Sequence, residues 1–167
     1  MIYRDATPDD VAAIDTLFRQ SFTTTFGHLY APADLSAFLG GFTPDAWRDE
    51  LAQDGLAIRL AERDRRLVGF AKVGDATLPI ARRGRTAELR QLYLAEEAKG
   101  TGVAAALMDW VMARARDAGA VDLVLSVYVD NHRARRFYQR YGFVDAGPYR
   151  FMVGSHADED RMMRLAL

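Results

Sequence analysis

The chain has 167 residues, with 22 Lys plus Arg against 23 Asp plus Glu, a formal net charge of −1 and no cysteine. That length suits one domain with a sizeable core, so residues 1–167 are expected to form one, and near-neutral charge gives no ground for expecting a nucleic-acid or membrane partner. Without cysteine there is no disulfide, no thiolate metal site and no cysteinyl intermediate.

The opening IYRDA reads as a short strand. Thr7, with Pro8 and acids behind it, is a helix start signal, and Val11, Ile14, Leu17, Phe18 and Phe22 then follow one helical face. Residues 31–53 hold one or two further helices, with Thr43-Pro44-Asp45 as a second start. GLAIRLAERDRRLVGFAKVGDA alternates apolar and polar residues about a charged turn near Asp64, which predicts a hairpin. TAELRQLYL reads as a strand, and residues 101–117 as a helix with Val103, Ala106, Leu107, Trp110 and Val111 inward and Gly119 at its end. VDLVLSVYV is nearly all apolar, as a strand buried on both faces would be. A helix over Asn131 to Tyr141 and two strands, GFVDAGPYRFMVG and EDRMMRLAL, close the chain. The class is mixed α/β, with a parallel strand–helix–strand crossover through residues 86–129. The start MIYRDATPDD lacks an apolar leader, and the most apolar window, VAAALMDWVMA, is short and carries Asp109, so no membrane span and a cytoplasmic location are expected.

The chemistry concentrates at Gly100-Thr101-Gly102, where the third helix pattern begins. Helix N-termini present unpaired N–H groups and the positive end of the dipole, and glycines keep side chains out of an anion's way. A plain tight turn would use the same residues. Gly100-Thr-Gly102-Val-Ala-Ala105 also fits the dinucleotide fingerprint, which would make the chain a nucleotide- or NAD-binding oxidoreductase. Five residues, AEEAK, separate it from its strand, however, and too little chain follows for a doubly wound sheet. A P-loop is excluded because no Gly-Lys-Ser/Thr follows.

The next segment, VYVDNHRARRFYQRYGF, carries Asn131, Ala134, Phe137-Tyr138 and Gly142-Phe143 in the order N-x-x-A-x-x-F-Y-x-x-x-G-F. Together with the glycine turn, the stretch from Glu88 to Phe143 resembles the GCN5-related N-acetyltransferase family. In that family the turn reads Gln/Arg-x-x-Gly-x-Gly/Ala. Here Glu97 stands first, which leaves the contact to the backbone. The resemblance implies a mixed, mostly antiparallel sheet whose central parallel strand pair splays apart to admit acetyl-CoA as acyl donor. Backbone groups of Leu92, Tyr93 and Leu94 would pair with the pantetheine arm. The N–H groups of Lys99, Gly100, Thr101, Gly102, Val103 and Ala104 would cradle the pyrophosphate. Asn131, Ala134, Phe137 and Tyr138 would line the same groove, and Arg133, Arg136 or Arg140 would meet the 3′-phosphate.

Acetyl transfer needs a base for the ammonium, a donor for the oxyanion and an acid for the thiolate. The resemblance assigns these to Glu88, the Leu92 N–H and Tyr138. Glu88 lies four residues before Leu92, on the same side of an ideal strand. For Tyr138 the alternative is a core side chain, for Glu88 an exposed strand carboxylate, and for Asn131 a helix cap. The implied acceptor is a primary amine on a small molecule or peptide. Polyamine, antibiotic, amino acid and protein amine stay open, as does a non-enzymatic acyl-CoA-binding module, and the resemblance admits a homodimer. Glu88, Asp34 or Asp75 would supply any acidity of the acceptor pocket. His28 and Tyr30 lie where the resemblance often puts the acceptor pocket and could touch substrate, with a surface position the alternative for a lone loop histidine. Trp47 and Trp110 read as core, and no histidine spacing suggests a metal.

Overall fold

The hairpin turn at Asp64-Arg65 is made with both residues left-handed, φ 52° and 63°. That geometry matches the right-handed twist of the strands it joins, β2 (Ala57–Arg63) and β3 (Arg66–Asp75). In the computed structural model, which describes residues 1–167, this hairpin belongs to a seven-stranded sheet. The other strands are β1 (Ile2–Asp5), β4 (Thr86–Leu94), β5 (Asp122–Tyr128), β6 (Val144–Val153) and β7 (His156–Ala166), in the order β1-β2-β3-β4-β5-β7-β6. All neighbours are antiparallel except β4 and β5. Residues 31–53 form two helices, α2 (Pro32–Gly40) and α3 (Pro44–Leu51), after α1 (Val11–Phe26). The Thr43 hydroxyl caps α3 by accepting from the Ala46 N–H at 3.1 Å. Helix α4 (Val103–Asp117) makes the crossover from β4 to β5, and α5 (His132–Arg140) precedes β6. The last strand begins at His156, three residues earlier than its apolar pattern predicts.

The sheet is buried on both faces. On one, Val103, Leu107, Met108, Val111 and Ala115 of α4 pack against Ala71, Val73, Ala87 and Leu89. On the other, Val11, Ile14, Phe18 and Phe22 of α1 pack with Trp47 of α3 against Ile58, Leu60 and Phe70. Each such side chain contributes roughly 1.5–3 kcal/mol by leaving water. Gly69 sets how closely α4 approaches: a Cβ there would lie 2.6 Å from Leu94 Cδ2 and 3.3 Å from Val103 Cγ1. Trp47 is core, as expected, but Trp110 is only half-buried and carries the Arg59 guanidinium 5.8 Å above its ring.

Two irregularities of β4 position the site. Its pairing with β5 covers only Thr86↔Asp122, Ala87↔Leu123 and Glu88↔Val124, after which the strands part. Its pairing with β3 runs from Val73↔Leu89 to Lys72↔Gln91, so Arg90 has no partner and the strand bulges. A bulge inserts one residue and flips the alternation beyond it. Ala87 and Leu89 accordingly share the α4 face with Leu92 and Leu94, while Tyr93 packs on the α1 face.

Candidate active site

Where β4 and β5 part, a cleft of about 880 Å³ crosses the molecule. It is lined from the glycine turn at one end, past Leu92, Tyr93 and Tyr138, to Asp158 and Asp160 at the other.

At the glycine turn the backbone is open. Gly100 and Gly102 have φ of +78° and +88°, and a Cβ at either would meet nothing within 4 Å. Glycine is present for its left-handed conformation, and the unobstructed space around it leaves the main chain bare. The amides of Gly100, Gly102, Val103, Ala104 and Ala105 have no backbone acceptor, since the first bond into α4 is Ala106 N–H to Gly102 O. The other two amides of the run are engaged, Lys99 N–H by Glu96 O and Thr101 N–H by Ala98 O. The Thr101 hydroxyl also donates to Ala98 O at 2.7 Å, and Lys99 Nζ pairs with Glu96 at 2.6 Å. The amides left open at this turn are therefore those of Gly100 and Gly102–Ala105. Val103 contributes its amide alone, because its side chain is core. Arg133, Arg136 and Arg140 line this side of the cleft, as do Ala134 and Phe137. Asn131 lines it too, and its Oδ1 caps α5 by accepting from Ala134 N–H at 3.2 Å.

In the middle, Leu92, Tyr93 and Leu94 form the β4 wall. The Leu94 carbonyl accepts from the Ser21 hydroxyl at 3.0 Å. Tyr138 reaches the cleft from α5 and is 9% exposed. Burial alone pushes its phenol up, with no charge or hydrogen bond contributing. Glu88 is elsewhere. Its carboxylate accepts from Thr77 N–H at 2.6 Å, Thr77 Oγ1 at 3.1 Å and Leu78 N–H at 3.1 Å, closing the β3–β4 loop. The expectation that Glu88 shares a side with Leu92 fails because the Arg90 bulge lies between them. Asp34 is also outside, accepting from Ser155, and Asp75 does not line the cleft.

The acidity of the far end comes from β7. Asp158 and Asp160, two residues apart on one strand face, are 5% and 6% exposed and line the cleft. Tyr30 is buried there and donates its hydroxyl to Asp158, while His156 Nε2 lies 3.3 Å from the same carboxylate. Burial, then repulsion from Asp158, pushes the Asp160 carboxyl up to about 7 against a lowering contribution from Ser126. Aromatic rings of α1, α2 and β6 surround this end, with Tyr30 stacked on Phe22 at 5.9 Å and Phe38 edge-on to Phe151 at 5.7 Å. Lys72, 3% exposed, is held by Glu50 at 2.5 Å and lies 4.9 Å from the centre of the Trp47 ring. His28 is exposed. The spacing of the two acids in HADEDR puts both on one face of a closing strand but does not mark that face as buried.

The chain belongs to the acetyltransferase (GNAT) family, whose model matches residues 12–143. It is 35% identical over 158 residues to an uncharacterised N-acetyltransferase of Mycobacterium tuberculosis, covering 93% of this chain and 94% of the relative. Among solved structures it is similar to the PaiA N-acetyltransferase of Thermoplasma acidophilum in complex with coenzyme A. There the TM-score is 0.78 at 18% identity, over 99% of this chain and 98% of the other. It is also similar to YncA, an acetyltransferase of Salmonella typhimurium with acetyl-CoA, at a TM-score of 0.74 and 20% identity over 100% and 94%. No helix is long and apolar enough to cross a membrane.

Proposed function

We propose that this acetyltransferase moves the acetyl group of acetyl-CoA directly to a primary amine, with donor and acceptor bound together in the one cleft, and that it does so in the cytoplasm. The observation that carries the reading is the parting of β4 and β5 after three residue pairs, with unpartnered amides at the mouth of the gap. Those amides and the α4 dipole suit a pyrophosphate. The free edge of β4 at Leu92–Leu94 suits an extended arm that pairs as a strand would.

In this reading the Leu92 N–H stabilises the oxyanion that develops when the amine attacks, as a fixed dipole that needs no reorganisation. Tyr138 gives its phenolic proton to the departing thiolate. Asn131 keeps its cap and turns its amide nitrogen toward the pantetheine. Arg133, Arg136 and Arg140 add positive charge at the phosphate end. Direct transfer agrees with a chain that has no cysteine to carry an acyl group.

The test is a thermal-shift titration followed by an amine-panel assay of free CoA release. Acetyl-CoA is expected to raise Tm by mass action while NADH does not, and at least one primary amine is expected to release CoA. Stabilisation by NADH instead, or acetyl-CoA binding with no amine ever acetylated, would overturn the reading in favour of an oxidoreductase or a binding module respectively.

A further inference from the structure

Three carboxylates line the cleft, and two of them are engaged. Glu50 holds Lys72, and Asp158 takes the Tyr30 hydroxyl and faces His156. Asp160 is 6% exposed and has no cation. Of its neighbours, Arg161 pairs with Asp145, while Asp158 has only the Tyr30 hydroxyl and the His156 ring 3.3 Å away. The Ser126 hydroxyl is the one neighbour that favours its charged form. A buried carboxylate without a counter-ion is costly, and here it lines an open cleft where a ligand's charge can reach it. Its place in the sheet is also fixed, opposite Tyr128 of β5 and Tyr149 of β6. The Tyr93 phenol, raised first by burial, is raised further by Tyr138 and by Asp160. Tyr93 therefore stands within electrostatic reach of both the group assigned to the thiolate and the free acid.

Resting on the acetyltransferase reading, we propose that Asp160 is the general base, receiving the ammonium of an acceptor that carries one positive charge on an apolar or aromatic body. A single free carboxylate matches a single ammonium. The walls around it are Phe22, Phe26, Phe38, Phe151 and Tyr128, which suit a hydrophobic body. A polyamine would bring its further charges toward Lys72 and Arg90, which line the same cleft.

The protons balance. The ammonium gives one proton to Asp160, and the neutral nitrogen attacks the thioester carbonyl, forming the C–N bond. The C–S bond breaks, Tyr138 protonates the sulfur, and the second nitrogen proton returns to the Tyr138 oxygen. Asp160 releases its proton to solvent, so amide, free CoA and one proton leave.

The titratable groups facing Asp160 are Asp158 on its own strand, its cross-strand partners Tyr128 on β5 and Tyr149 on β6, Tyr93 on β4 and Tyr30 between α1 and α2, with His156 beyond Asp158. Burial raises the phenols of Tyr30, Tyr93 and Tyr128, which stay neutral near pH 7. Burial, and then Asp158, disfavours the charged form of Asp160 and holds it ready to take a proton near neutrality, so activity is expected to rise as Asp160 ionises.

The experiment measures kcat/KM for 2-phenylethylamine, tyramine and spermidine from pH 6 to 9, with the acetyl-CoA Kd measured in parallel. Wild type is expected to favour the aromatic monoamines at least tenfold over spermidine and to show a rising limb near pH 7. Asp160→Asn is expected to lose about 100-fold and the limb with it, with its acetyl-CoA Kd unchanged, which also reports that it folds. A preference for spermidine, a wild-type profile flat from pH 6 to 8, or a limb surviving in Asp160→Asn would overturn the inference while acetyl-CoA still binds. Failure of wild type to bind acetyl-CoA would overturn the acetyltransferase reading itself.

Discussion

The two ends of the cleft are built from different materials. The glycine-turn end offers backbone: amides with no internal acceptor, a helix dipole and a strand edge left bare where β5 turns away. The β7 end offers side chains: two buried carboxylates, a tyrosine that ties down one of them, and aromatic rings. Backbone recognises what every donor of one kind shares, a diphosphate and an extended arm. Side chains recognise what distinguishes one amine from another. Substitutions at the first end should therefore change donor binding whatever the amine, and those at the second should change amine choice and pH dependence while donor affinity stays put.

Tyr138, between the ends, should show the largest effect. Tyr138→Phe is expected to lower kcat about 100-fold for every amine, with acetyl-CoA affinity within twofold, read by steady-state kinetics and calorimetry. An unchanged kcat would return Tyr138 to a packing role beside Phe137 and Phe143. At the donor end, Gly102→Asp sets a carboxylate at a helix start and a Cβ on a left-handed residue, for about 2 kcal/mol or roughly 30-fold weaker acetyl-CoA binding. Amine selectivity should not move, and a changed amine preference would break the division between the ends.

At the acceptor end, Tyr30→Phe removes the donor to Asp158 and leaves a more exposed negative charge beside Asp160. The rising limb of kcat/KM should move to higher pH while the acetyl-CoA Kd holds, and a limb that stays in place would show that Asp158 does not tune Asp160. The smallest expected effect is on stability. An aspartate ionises near pH 3.9 in an unfolded chain, while the folded Asp160 carboxyl ionises at about 7. Between these values the folded state holds more protons, so raising the pH through the window costs stability. Asp160→Asn removes that cost and should raise Tm by roughly 5 °C at pH 8, with the gain vanishing near pH 4. A Tm lowered at pH 8 would show that the carboxylate is better supported than Ser126 alone suggests.

The same division decides what could be read before the fold was known. The parallel crossover was legible because VDLVLSVYV is apolar throughout and α4 carries inward residues at helical spacing. The bare turn was legible because Gly100 and Gly102 leave a mark in sequence, even though their φ values, and not clearance, turned out to require them. What could not be read was phase. Nothing in ELRQLYL marks Arg90 as the extra residue of a bulge, so Glu88 was carried to the wrong face. Asp158 and Asp160 were hidden for a related reason. Acids on a closing strand ordinarily face water, but Tyr30, more than a hundred residues earlier, covers Asp158, and Asp160 is enclosed between β5 and β6. Local periodicity finds elements and glycine turns; it does not find carboxylates whose environment is assembled by distant segments.

The central claim is that acetyl-CoA lies on the open amides after Gly100 and in the gap beyond Glu88. The most direct measurement is a backbone amide NMR titration with acetyl-CoA on labelled wild-type protein. The account predicts that the largest shifts fall on Gly100, Gly102–Ala105 and Leu92–Leu94, with Lys99 and Thr101, already hydrogen-bonded within the turn, moving less. Shifts centred elsewhere, with the glycine-turn amides unmoved at saturation, would contradict it.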